Sequence, residues 1–127
     1  MDPRVVKRTL LGENISLADY VETLAAREWL TAAFEATLGP GELVLCPTLP
    51  HVAPRLQPLL ENEDLFFQMN GQTLRNTLIG NFLNWCCVSL PCGTGTDGMP
   101  VGFLVSAPKH NDDRLLAASS ALEALLG

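Results

Sequence analysis

Basic side chains are scarce in this chain. Eight Lys and Arg stand against fourteen Asp and Glu, for a formal net charge of -6. An acidic chain with scattered cations is a poor match for a phosphate backbone, which argues against nucleic-acid binding. Lys7 and Lys109 are the only lysines, and both sit in polar segments. A lysine base must be desolvated to lose its proton near neutrality, so neither is a candidate. Long apolar runs are missing too. None approaches the roughly 20 residues that a helix needs to span a bilayer. The N-terminal stretch MDPRVVKRTLLGENIS lacks the compact apolar region and cleavage site of a leader, and the expected location is the cytoplasm. Neither CxxC nor HxxxH spacing occurs, which leaves no zinc pattern. Cys86 and Cys87 are adjacent, and neighbours in a strand point to opposite faces. With Cys46 and Cys92 they are expected as reduced thiols. There are no internal repeats and no low-complexity tract, and no metal or cofactor is called for.

What is present is apolar patterning. Hydrophobic residues make up 47% of the chain, enough for one ordered domain and suggestive of an extra buried face. Ser16 with Asp19 reads as a helix cap of the capping-box kind. From Leu17 a helical stripe runs through Tyr20, Val21, Leu24, Leu30, Phe34 and Leu38, until Gly39-Pro40-Gly41 stops it. Glu42–Cys46 reads as a short buried strand. Pro47, Pro50, Pro54 and Pro58 then predict an extended, irregular loop. A second helical region starts at Asp64 and reaches Phe82, with a break at Gly71. Trp85–Leu90 reads as a strand ended by Pro91, and Val101–Ser106 as another. Asn111 can cap a last helix, with Asp112 and Asp113 at its positive end. Two of the three strands lack alternation, as strands covered on both faces by helices do. The segment Pro91–Pro100 between them is rich in turn residues, with Gly93, Gly95 and Gly98 suited to positive φ.

Candidate reactive groups are few. Gly93-Thr94-Gly95-Thr96 is followed by a strand, whereas a phosphate loop opens onto a helix N-terminus. Cys46 ends a strand, and His51 follows in the loop, but a Cys–His pair needs a third group to orient the base. Ser119-Ser120 is the only serine pair and lies mid-helix, where a hydroxyl bonds back to the chain. No nucleophile, base and oxyanion donor come together in the pattern.

The stretch NFLNWCCVSLPCGTGTDGMPVGFLVSAP, followed by DDRLLAASSALEALL, resembles the C-terminal part of amidase-signature enzymes. The resemblance rests on Asn81, Pro91-Cys92-Gly93, Gly98-Met99-Pro100-Val101-Gly102, Pro108, Asp112-Asp113 and the Leu-rich run to Leu126. Upstream, LVLCPTLPHVAP looks like that family's strand and proline-rich loop, and DPRVVKRTLLGENISLADY like the start of the same region. Departures fall at Asn84, where the family often has Gly, at Cys86, where it often has Pro, and at Leu104, where it often has Gln.

The resemblance implies an α/β fold. Residues 1–127 would form a single segment, a short mixed sheet of about three strands covered by helices. It also implies hydrolysis of an amide carbon–nitrogen bond by a serine, a second serine in a cis peptide bond, and a lysine. The Gly- and Ser-rich stretch that carries those groups has no counterpart here, so no catalytic residue is expected in this chain. It would supply scaffold and pocket wall, with Pro47, Thr48 and His51 lining the substrate pocket. The expected partner is the remaining N-terminal part of the amidase, or another copy through exposed apolar surface. The complete enzyme would take a small amide substrate, and neither nucleic acid nor membrane is expected. The alternative is a catalytically inert binding or assembly module that keeps the fold.

Overall fold

An Asp-Pro pair starts the first helix. The computed structural model of the chain describes residues 2–126, in which α1 spans Pro3–Leu10. Asp2 caps it, its Oδ1 accepting the Arg4 N–H at 2.8 Å. Pro3 takes the first turn, where its missing N–H has no partner to lose. No helix is expected here from apolar periodicity, and the Asp-Pro start is the local signal for it. A 3-10 turn at Leu11–Asn14 leads to α2, Leu17–Glu35. Its expected cap is present in both halves. Ser16 Oγ accepts the Asp19 N–H at 3.1 Å, and the Asp19 carboxylate accepts the Ser16 N–H at 3.3 Å.

The chain is organised as two compact units, residues 1–37 and 38–127, which divide just before Gly39-Pro40-Gly41. In the helical first unit no residue of α1 or α2 is buried. Leu17 is 77% exposed and Trp29 69%.

The second unit carries β1 (Val44–Pro47), α3 (Leu56–Glu61), α4 (Glu63–Leu74), α5 (Thr77–Leu83), β2 (Cys86–Thr94), β3 (Pro100–Ala107) and α6 (Asp112–Leu126). The three strands order β1-β3-β2, and both neighbours run antiparallel to β3. Val105 faces Leu45 on one side and Val88 on the other, while Leu104 faces Cys46 and Ser89. One sheet face forms the core. Leu90, Val105 and Ala107 pack with Leu115 of α6, and Leu43, Cys86, Val88, Phe103 and Leu122 close around them. Fully burying a side chain such as Leu115 stabilises by about 2 kcal/mol. On the opposite face α5 approaches through Gly80, where a Cβ would stand 2.7 Å from the Cys87 sulfur. The fold is thus the expected α/β arrangement of three strands with helical cover, and where a mixed sheet is expected the three strands pair antiparallel throughout.

Local details differ from the sequence expectations. Only β3 is buried on both faces, over Leu104–Ala107. The edge strands β1 and β2 alternate, because each is covered more fully on one side. The proline-rich loop contains α3, since Pro58 falls in its first turn, where no backbone donor is needed. Gly71 does not break the helix. α4 runs through it, and the interruption comes at Arg75–Asn76. Pro91 does not end its strand either. β2 is a sheet edge, where a missing N–H is tolerated, and it continues to Thr94 across an irregularity in register. The hairpin turn uses Gly93 and Gly98 at φ +119° and +71°, with Asp97 at +58°.

α5 ends at Asn84 in the left-handed conformation, φ +59° and ψ +39°. That conformation costs most L-residues about 1–2 kcal/mol, Asn less and Gly least. Asn84→Gly is therefore expected to keep or raise stability. Asn84→Val is expected to lower it by about 1–2 kcal/mol. Urea unfolding of both variants checks the sign and the order.

Candidate functional site

The end of β1 is held from two sides. Asn76 Nδ2 donates to the Pro47 carbonyl at 2.7 Å, and the Thr48 N–H donates to the Gly102 carbonyl at 2.8 Å. This brings the Thr48 hydroxyl to Ser89 of β2, with the two oxygens 2.6 Å apart. Gly102 makes the approach possible, because a Cβ on it would lie 2.8 Å from both oxygens. Beyond Thr48 the chain curves through Leu49, Pro50, His51, Val52 and Ala53, over the start of β3 at Pro100–Gly102. Between them lies a cleft of about 460 Å³, a size that suits a small molecule. Its rim is braced by the hairpin turn. Gly95 packs so tightly on Val52 that a Cβ there would stand 2.7 Å from the valine Cγ1.

Among the described residues no carboxylate, lysine or arginine lines the cleft. Its polar groups are the Thr48–Ser89 pair and His51. The His51 ring makes its firm hydrogen bond through Nδ1. Nδ1 lies 2.8 Å from the Val52 carbonyl, which can only accept, so Nδ1 carries the proton. Nε2 lies 3.2 Å from Thr73 Oγ1, whose single proton is donated to the Met69 carbonyl at 2.8 Å, so Nε2 meets the hydroxyl as a neighbour and keeps its own lone pair. The histidine thereby sets the loop against α4. A hydroxyl becomes a nucleophile when a base stands within hydrogen-bond reach. Among the described residues neither the Thr48 nor the Ser89 hydroxyl has a base within hydrogen-bond reach.

The thiols give no second centre. All four cysteines are free. Cys86 Sγ donates to the Ala107 carbonyl at 3.4 Å, and Cys92 Sγ to the Val101 carbonyl at 3.6 Å. Cys46 has no bond to His51, whose nitrogens face Val52 and Thr73. Among the described residues no trio of His, Cys, Asp or Glu is placed to hold a metal ion.

Of the residues picked out by sequence, Thr48 and His51 line the cleft, and Pro47 stands beside it with only its carbonyl engaged. Ser89 and Val52 complete the site without being singled out by the sequence pattern, and Pro100, Val101 and Gly102 enter it from the motif that carries the resemblance. Ser89 is a polar break in the apolar run WCCVSL, and that is the signal available for it.

The family model described as Amidase matches residues 2–116. This chain belongs to the amidase family. Among its relatives is 2-amino-5-chloromuconic acid deaminase of Comamonas testosteroni, 29% identical over 127 residues, which is 100% of this chain and 27% of that protein. A glutamyl-tRNA(Gln) amidotransferase subunit of Halobacterium salinarum is 29% identical over 94% of this chain and 28% of its own length. The protein of the same name in Thermobifida fusca is 30% identical over 98% of this chain and 25% of its own length. The chain therefore spans about a quarter of the length of these curated relatives. No solved structure matches it.

The Thr48–Ser89 bond is open to direct measurement. In a double-mutant cycle of Thr48→Val, Ser89→Ala and the pair, a coupling of about 0.5–1.5 kcal/mol is expected in unfolding free energy. A coupling indistinguishable from zero would show that the bond does not form.

Proposed function

We propose that this chain is the C-terminal part of an amidase, contributing scaffold and one wall of the substrate pocket. The carrying observation is the family match over residues 2–116 in a chain that spans only about a quarter of its relatives. The cleft supports the same reading. It has the size and shape of a binding wall, and its hydroxyls lack the base that would make one of them a nucleophile. In this reading the reaction is hydrolysis of an amide carbon–nitrogen bond. The nucleophilic serine, its cis-peptide serine and the lysine belong to a portion outside these 127 residues. Pro47, Thr48 and His51 belong to the loop that walls the pocket, with Thr48 and His51 exposed to the substrate.

The partner is the rest of the amidase. The open apolar side chains of α2, among them Leu17, Tyr20, Val21 and Trp29, are the surface it would cover. A copy of the same chain is the substitute occupant when that partner is absent. Among the described residues no helix is long and apolar enough to cross a membrane. A cytoplasmic location is part of the same proposal.

The purified chain is expected to release no ammonia from benzamide above the buffer blank. Joined in place of the corresponding segment of the Comamonas testosteroni relative, it is expected to support turnover of that protein's own substrate. Ammonia release by the isolated chain that a serine-directed inhibitor abolishes would sink the proposal. A well-folded chimera without activity would favour the inert assembly module.

A further inference from the structure

The sheet has two free edges, and they are not equivalent. The Thr48 N–H donates to the Gly102 carbonyl at 2.8 Å, which makes these two a hydrogen-bonded pair at the end of the β1–β3 ladder. Bonded and non-bonded pairs alternate along an antiparallel ladder. Gly102, Leu104 and Ser106 therefore turn their peptide groups to β1, and Phe103, Val105 and Ala107 turn theirs to β2. The partners of the second set are Leu90, Val88 and Cys86. Cys87 and Ser89 are left with N–H and carbonyl pointing out of the sheet. Among the described residues no other backbone bond reaches them.

This open stretch has defined ends. Trp85 gives its N–H to the Gly80 carbonyl at 2.9 Å, and Pro91, next in the outward set, has no N–H. The β1 edge offers less. Leu45 presents both groups there, but Pro47 has no N–H and its carbonyl is taken by Asn76. An edge meant for solvent is blunted by charge, and Trp85–Leu90 carry none. The edge also borders the cleft, because the Ser89 side chain lies on the cleft face. In a strand laid along β2, the residue opposite Ser89 would stand about 5.5 Å away, Cα to Cα, and point to that same face.

We infer that the outer edge of β2 at Cys87–Ser89 receives a strand from the rest of the amidase, and that this strand continues the floor of the cleft beyond Ser89. The occupant is argued from length, since the chain spans only about a quarter of its curated relatives. The inference rests on the reading proposed above and names where the remaining part joins the sheet. The two can fail separately, because one concerns strand pairing and the other turnover.

The test is backbone hydrogen exchange read at single residues. One sample is the isolated chain, diluted until sedimentation shows a monomer. The other is the chimera, or the chain mixed with the separately produced remainder of the Comamonas testosteroni relative. In the monomer the Val88 and Leu90 amides are expected to be protected, and those of Cys87 and Ser89 to exchange nearly as fast as in an unstructured peptide. In the completed protein Cys87 and Ser89 are expected to slow by about a hundredfold or more. Cys87 and Ser89 already protected in the monomer, or still exchanging fast in the folded chimera, would overturn the inference. Protection gained only when the isolated chain is concentrated, and absent from the chimera, would assign the edge to a second copy and overturn it as well. A chimera that protects both amides without turnover sinks the amidase reading and leaves this one standing. A chimera that turns over with both amides open does the reverse.

Discussion

β3 is paired along both edges and, over Leu104–Ala107, covered on both faces, so it has no direction in which to move. Everything else in the second unit is placed by reference to it. Its odd-numbered residues Phe103, Val105 and Ala107 meet α6 and make the core. Its even-numbered Leu104 stands between Cys46 and Ser89 and sets the face on which the cleft is built. A slip of one residue would exchange the two faces, placing Ser106 and Leu104 in the core and Val105 beside the cleft. The register of one strand thus governs both stability and the position of the hydroxyl pair.

The cleft inherits its rigidity from that frame. The Thr48 N–H is bonded to Gly102 of β3, and Ser89 stands on β2, so each hydroxyl is fixed by a strand rather than by a free loop. Further out, His51 sets the loop beside Thr73 of α4. Two hydroxyls and an imidazole in one cleft suggest chemistry at first sight. The contacts the structure gives them, Thr48 with Ser89 and His51 with Val52 and Thr73, run between parts of the wall itself.

Much of this is legible in the sequence, and the reasons are local. Ser16 and Asp19 carry their own capping geometry, so the start of α2 can be read from spacing alone. The turn residues between Pro91 and Pro100 announce a hairpin wherever they occur. The stiff course of the loop after β1 is readable because prolines follow the strand end. What cannot be read depends on partners distant in sequence. Ser89 looks like a minor polar break until Thr48, 41 residues away, is brought to it. Gly71 looks like a helix stop, but its surroundings are open and nothing there forces the chain to turn. Pro91 looks like a strand end only if its strand is taken as central, and edge position is a property of the whole sheet.

The contact between Gly95 and Val52 links a turn to the rim of the cleft, although neither belongs to the core. Residues Gly95–Met99 close on themselves through the Gly95 N–H and the Met99 carbonyl at 2.8 Å, independently of the strand ladder. Changes in the length or bulk of this turn can push on Val52 while the sheet keeps its alignment. Ligand preference can therefore drift during evolution at a point insulated from folding.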